Sequence, residues 1–329
     1  MRTALAAAAL IALLHGASAV AAEPAWQARV TQADGWAAWN VPMVTDAGSP
    51  CCYWNDHGRA GVCDLDGRNH GFSTTDEPRK PIDGTLTVYA HAAHGHIDDV
   101  RAYGADCPVR SAGEIRRIEG VESAQSLALL SGWIDGPDGT RDDLALAAIA
   151  YHADDAATRL LAARAEPSHS RKDREDALFW LGQARGTDGA AIVERYATTD
   201  GDPKLREHAI FALSQSHADD PYARIHAIAQ SDRDTGVRSQ ALFWMSQMKD
   251  PRAAKDITAA LSNESSDSVR EQAVFALSQL GGDVGDDALI ALLRGNYPRD
   301  VKKQALFWLG ESGSPRAMQF FDEALTKSK

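Results

Sequence analysis

Between residues 174 and 311, apolar and polar positions recur in one fixed phrase. Ala177, Ala209, Ala241, Ala273 and Ala305 stand 32 positions apart. Each has a basic residue three before it, Phe two after it, and Gln or Glu six after it. At about 100° per residue, Ala177, Leu178, Trp180, Leu181 and Ala184 share one arc with the site of Asp173. Later repeats fill that site with Leu205, Val237, Val269 and Val301. This spacing predicts one amphipathic helix per repeat, its apolar arc turned to the core. The phenylalanines Phe179, Phe211, Phe243, Phe275 and Phe307 fall opposite that arc, among polar neighbours. A shorter companion helix follows each phrase, as in Asp250 to Leu261, Asp283 to Leu293 and Ser314 to Leu325. Asp250 is placed as an N-cap with Pro251 at the first helical position, and Asp202-Pro203 and Asp220-Pro221 give the same start signal.

A fixed period of this length is the mark of a solenoid, so the expected fold is mainly α. Residues 139–329 are assigned to it as one eroded and five full repeats. The eroded unit surrounds Ala145, one period before Ala177, and lacks the Phe and the Gln. Phe320 and Phe321 are expected to pack on the last full repeat. Residues 23–138 have another texture, with Gly, Asp, Pro and aromatic residues mixed and no helical period. Trp36 to Met43 reads as a strand. Thr85 to His91 and Ile97 to Tyr103 read as a hairpin around Gly95, with Ile115 to Ile118 as a third strand. Ser123 to Leu130 reads as a helix leading into the repeats. The expectation is a small disulfide-stapled β-rich domain.

The stretch Val269-Arg270-Glu-Gln-Ala273-Val-Phe-Ala276-Leu277 resembles HEAT repeats, as do the aspartates Asp202, Asp234 and Asp267 shortly before the basic residues. The resemblance covers about 190 residues, in units shorter than the usual ~40–47. It implies a scaffold or binder whose second helices line a concave face. Some compact relatives are lyases acting on bilin pigments, which fits poorly with cysteines confined to the region outside the repeats. The layout as a whole is similar to exported bacterial HEAT-repeat proteins.

The start of the chain explains that last likeness. Met1-Arg-Thr, the apolar run Ala4 to Leu14, and the small residues up to Ala22 read as a signal peptide cleaved near Ala22, with Ala19 and Ala21 as other sites. The expected location is periplasmic or secreted, with no membrane insertion after cleavage. All four cysteines, Cys51, Cys52, Cys63 and Cys107, precede the repeats. An even number in an exported chain implies disulfides. Three pairings are open; Cys51–Cys107 with Cys52–Cys63 is favoured, since adjacent cysteines bond with strain. The formal charge of −12 and the lack of a basic patch argue against nucleic acid as a partner.

Candidate chemistry is sparse. His91, His94 and His96, with Asp98 and Asp99, are a polar hairpin tip that a divalent metal could in principle use, and His57 and His70 lie nearby in sequence. Their spacing matches no zinc motif, and no metal site or cofactor is assigned. No Gly-x-Ser-x-Gly, His-Glu-x-x-His or phosphate-cradling glycine loop occurs, so no catalytic residue is assigned and the chain is read as a non-enzyme. The alternative is a metal-dependent or hydrolytic activity in residues 23–138, with the repeats docking the substrate. The column Arg174, Arg206, Arg238, Arg270 and Lys302 is read as tying repeats together through nearby aspartates. The alternation Trp180, Ala212, Trp244, Ala276, Trp308 is read as a packing device, each Trp filling the room beside an Ala. One column asks for more. Phe179, Phe211, Phe243, Phe275 and Phe307 are each followed one turn later by Gln183, Gln215, Gln247, Gln279 and Glu311. Armadillo repeats hold extended peptides with a similar ladder of Trp and Asn. By that resemblance these ten residues are the candidate binding site, and the expected partner is a protein or peptide.

Overall fold

The computed structural model describes residues 26–48, 50–51, 62–67, 84–136 and 142–326. The expected signal peptide, Cys52, His57 and His70 lie outside them. The chain is mainly helical, with a small β region ahead of a repeat solenoid.

The β region begins with α1 (Trp26–Thr31) and β1 (Gly35–Pro42), followed by β2 (Cys63–Asp64), β3 (Thr85–Ala93) and β4 (His96–Gly104). Two short strands follow, β5 (Val109–Arg110) and β6 (Arg116–Arg117). The main sheet has the order β4-β3-β1-β6, while β2 pairs with β5. β3 and β4 form the expected hairpin, with His94 and Gly95 both at positive φ in its two-residue turn. The third strand shrinks to two residues and joins β1 in parallel. Alternation along β1 separates two cores. Ala37, Trp39 and Val41 face the helices, whereas Trp36 and Ala38 join Tyr89, Tyr103 and the cysteines on the other face. There Cys51 is bonded to Cys107, the expected pairing, with Cα atoms 5.7 Å apart. Cys63 is disulfide-bonded as well.

From α2 (Ser123–Ile134) onward the chain is helical. The eroded unit is a true helix pair, α3 (Asp142–Tyr151) and α4 (Asp155–Arg164). Five full pairs follow: α5 (Arg171–Ala184) with α6 (Gly186–Thr199), α7 (Pro203–Ser214) with α8 (Pro221–Ser231), and α9 (Thr235–Gln247) with α10 (Ala253–Asn263). Then come α11 (Asp267–Ser278) with α12 (Gly282–Arg294), and α13 (Arg299–Ser312) with α14 (Pro315–Thr326). Asp202 and Asp220 cap the helices that start at Pro203 and Pro221. α10 differs: Asp250 accepts from the amide of Arg252 at 2.8 Å, and helix begins only at Ala253. The Asp250 carboxylate closes a turn over Pro251, where a helix start at that proline was expected.

The core runs without a break from Val30 in α1 to Ala317 in α14. Its continuity across the β–α junction rests on a buried polar chain. Trp39 Nε1 donates to Ser126 Oγ at 2.8 Å, and Ser126 Oγ lies 2.9 Å from His152 Nε2. His152 Nδ1 lies 2.7 Å from the Ala148 carbonyl. These contacts set the tautomer: Nδ1 carries the proton and Nε2 accepts from Ser126. Below them, Arg185 at the end of α5 donates to the carbonyls of Ala150, His152 and Asp154, capping α3.

Two predictions follow from this packing. Burial lowers the His152 pKa from 6.5 to about 4. The neutral ring's contribution is thus complete above pH 6.5 and is lost as pH falls towards about 4, a loss of about 3 kcal/mol. Urea unfolding at a series of pH values should show this loss in the native chain and its absence in His152→Gln. The second concerns α5 and α7, which touch backbone to backbone. A Cβ on Gly182 would stand 2.4 Å from the Ala212 carbonyl oxygen, whereas one on Gly310, the same site in α13, meets nothing within 4 Å. Gly182→Ala should cost about 1–3 kcal/mol by unfolding titration, while Gly310→Ala should add about 0.5–1 kcal/mol.

Candidate functional site

The signature helices α3, α5, α7, α9, α11 and α13 pack closely against one another in sequence, while successive companions meet only sparingly. The signature helices thus form the more closely packed of the two layers. Their apolar arc is buried as the spacing predicts: Ala177, Ala209, Ala241, Ala273 and Ala305 are all fully enclosed. The Phe column emerges on the other side of the same helices.

Those rings form one continuous aromatic ladder. Phe179 stacks on Phe211 at 5.7 Å, and Phe243 on Phe275 at 6.3 Å, with nearly parallel planes. Between these stacks a tryptophan intervenes. Trp244 lies 4.9 Å from Phe211, and Trp308 lies 5.0 Å from Phe275. The ladder therefore alternates with the Trp/Ala column: Phe meets Phe where the following repeat carries Ala, and Phe meets Trp where it carries Trp. The tryptophans do pack between repeats, Trp244 and Trp308 against phenylalanine and Trp180 against Tyr151; of the three only Trp180 is buried, with Trp244 and Trp308 half-exposed. Phe179, Phe211, Phe243 and Phe275 are half-buried, and Phe307 is 55% exposed. The rings are neither sealed between repeats nor free of them: edges wedge into the next repeat and the remainder faces out.

The amide column is graded. Gln183 is buried, Gln215 half-buried, and Gln247, Gln279 and Glu311 exposed. Three glutamines are held by a device that sequence reasoning missed. Ser214, Ser246 and Ser278 each donate Oγ–H to the carbonyl of the Phe three residues back, at 2.7 Å. The next residue, Gln215, Gln247 or Gln279, donates its Nε2 to that hydroxyl at 3.0–3.3 Å. This ties down the amide nitrogen and leaves the amide oxygen as a fixed acceptor. A serine directly before each of these glutamines was the available signal. Two further polar atoms on this layer, Trp244 Nε1 and His208 Nε2, are buried with no hydrogen-bond partner. Both side chains lie against Phe211, and burial lowers the His208 pKa, which keeps the ring neutral.

Comparison with known families gives these helices a name. Residues 222–306 match the model described as HEAT repeats. This stretch is a run of HEAT repeats. Among solved structures, the chain is similar to the YibA protein of Escherichia coli at 18% identity, over 64% of this chain and 72% of that one, with a TM-score of 0.35. It is similar to the CpcE–CpcF complex of phycocyanin lyase from Nostoc sp. PCC7120 at 18% identity, over 62% and 83%, with a TM-score of 0.33. It is also similar to human deoxyhypusine hydroxylase in complex with glycerol at 14% identity, over 57% and 84%, with a TM-score of 0.28. Two of these neighbours are named as enzymes, and the likeness is too distant to carry an activity across. No curated protein matches the sequence.

The basic column of the repeats is committed to structure. Arg206 donates Nε and Nη2 to both oxygens of Asp232 at 2.9 Å, and Nη1 to the Asp200 carbonyl at 2.8 Å. Arg238 repeats this with Glu264 and the Asp232 carbonyl. Arg174 pairs with Asp200 and the Ala165 carbonyl. The acid stands 26 residues after its arginine, where the companion helix ends. Asp202 and Asp234, which the family pattern points to, instead cap α7 and α9. The histidine cluster is dispersed by the hairpin turn. His91 Nδ1 lies 2.6 Å from Asp98 Oδ1 and its ring packs on Trp36, while Asp99 bonds Arg101. The sole metal-ligand cluster found among the described residues joins Asp106 to the bonded Cys51 and Cys107. No helix among them is long and apolar enough to cross a membrane.

The clasp has a measurable weight. Arg206 and Asp232 are both almost wholly enclosed. Arg206→Ala would leave the buried Asp232 carboxylate without its counter-charge, held by the Asp234 amide, and should cost about 3–5 kcal/mol. Arg171→Ala, removing an exposed partner of Asp202, should change stability by less than about 1 kcal/mol in the same denaturation series.

Proposed function

We propose that this chain is an exported scaffold whose layer of signature helices binds an extended segment of another protein. One observation carries the reading: a half-exposed aromatic ladder running beside amide oxygens fixed at each repeat. Exposed aromatic surface repeated on one face is a feature of binding sites, and the spacing suits a peptide whose side chains rest on the rings. Gln247 and Gln279 would accept from peptide amides through oxygens already oriented by Ser246 and Ser278. Because the exposed amides stand at the ends of α9 and α11, the binding segment centres there, with Phe307 and Glu311 extending it. The Cys51–Cys107 bond and the apolar run Ala4 to Leu14 support a periplasmic or secreted location.

Selection of extended peptides from a random displayed library against the full chain tests the reading. Phe243→Ala with Gln247→Ala should weaken the selected peptides by more than about a hundredfold, as for loss of two central anchors, while leaving the melting temperature within a few degrees. Peptides that bind the double variant as well as the native chain would place the site elsewhere.

A further inference from the structure

We propose a second site, a carboxylate-binding cleft at Arg270, independent of the aromatic ladder. The arginine clasps define what this position lacks. In α7 and α9 the guanidinium Nε and Nη2 grip a carboxylate 26 residues on, Asp232 for Arg206 and Glu264 for Arg238. The same position after Arg270 is Asn296, which is exposed and makes no bond to it. Arg270 keeps the other half of the clasp, donating Nη1 to the carbonyls of Glu264 and Ser265. Its Nε, the atom that reaches the acid in both earlier clasps, is buried without an acceptor. Asp267 meets Nη2 from solvent, and Asp300 stands 4.0 Å away.

The cleft itself has changed with the residue. One period earlier, between the ends of α8 and α10 and lined by Ala229, Gln230 and Glu264, it measures about 230 Å³. At Arg270, lined by the equivalent Leu261, Ser262 and Asn296, and by Glu264 already gripped by Arg238, it measures about 630 Å³. Arg270 forms part of this wall, whereas Arg238 does not line the smaller cleft. Tyr297, whose hydroxyl lies 3.4 Å from Ser262 Oγ, supplies a further polar edge, and Leu261, Ala291 and Val301 supply an apolar one. An arginine whose Nε has no acceptor and whose Nη2 bonds only the exposed Asp267, in a cleft with room for a ligand, suits a carboxylate that displaces Asp267 and takes the place Asp232 and Glu264 hold in the earlier repeats. Two sources share that chemistry: a small free carboxylic acid and the C-terminus of a peptide.

Calorimetric titration of the full chain at constant ionic strength tests this with succinate, a short peptide with a free C-terminal carboxylate, and the same peptide amidated. Binding of succinate or of the free-acid peptide, with none of the amide, is the expected result, and which of the two binds identifies the source. Asn296→Asp restores the internal acid, so it should raise the melting temperature and weaken carboxylate binding by more than about tenfold. Arg270→Gln should abolish binding, and Phe243→Ala with Gln247→Ala should leave it unchanged, separating this site from the aromatic ladder. Failure of any carboxylate to bind, or equal binding by the native chain and Asn296→Asp, overturns the proposal.

Discussion

The solenoid depends on the arginine that sits between two successive loops. Apolar columns of Ala, Leu and Val hold helices together, but such surfaces tolerate sliding and rotation. Arg206 does not. It grips the Asp200 carbonyl behind it and the Asp232 carboxylate ahead, so one side chain measures the distance between neighbouring junctions. A buried pair of this kind adds little net stability over a hydrophobic replacement, yet any arrangement that separates it leaves a charge bare. Arg238 repeats the arrangement one period on, so orientation set at one junction is handed to the next. The aromatic ladder on the signature helices can stay continuous because those helices are held in register from their loop ends.

Much of this was legible in the sequence, and the reasons for the rest are physical. Period, helix pairs and buried alanines were readable because a single helix face reports them. The strands β1, β3 and β4 were readable as alternating runs, with Gly95 marking the turn. The parallel pairing of β6 was not, since a two-residue strand has no pattern and exists by virtue of β1. The arginine partners were misplaced by about one repeat: Asp202 and Asp234, just before Arg206 and Arg238, are claimed by helix capping, and the carboxylates gripped are Asp232 and Glu264. The Phe column shows the limit of a helical wheel. A wheel placed Phe179 opposite the core, whereas its half-burial comes from Phe211, a neighbour the wheel does not contain.

The Phe and Gln columns are also not uniform along their length. At their start Gly182 lets α5 and α7 approach until backbones touch, and Gln183 is enclosed there. From α9 onward the Gln column reaches solvent. One sequence phrase thus yields a closed end and an open end, according to what the next helix presents: Gly182 meets the Ala212 backbone, whereas Gly310 meets nothing.

The alternation of Trp with Ala has a consequence for how such a chain can change length. Phe179 on Phe211 and Phe243 on Phe275 are one kind of junction; Phe211 on Trp244 and Phe275 on Trp308 are another. The structural repeat is therefore two helix pairs, although the sequence period is one. Excising a single unit would bring two tryptophans, or two alanines, to the same junction, giving overlap in one case and a void in the other. Excising or duplicating two units would restore parity. Viable length variants of this protein should thus grow and shrink in steps of double units.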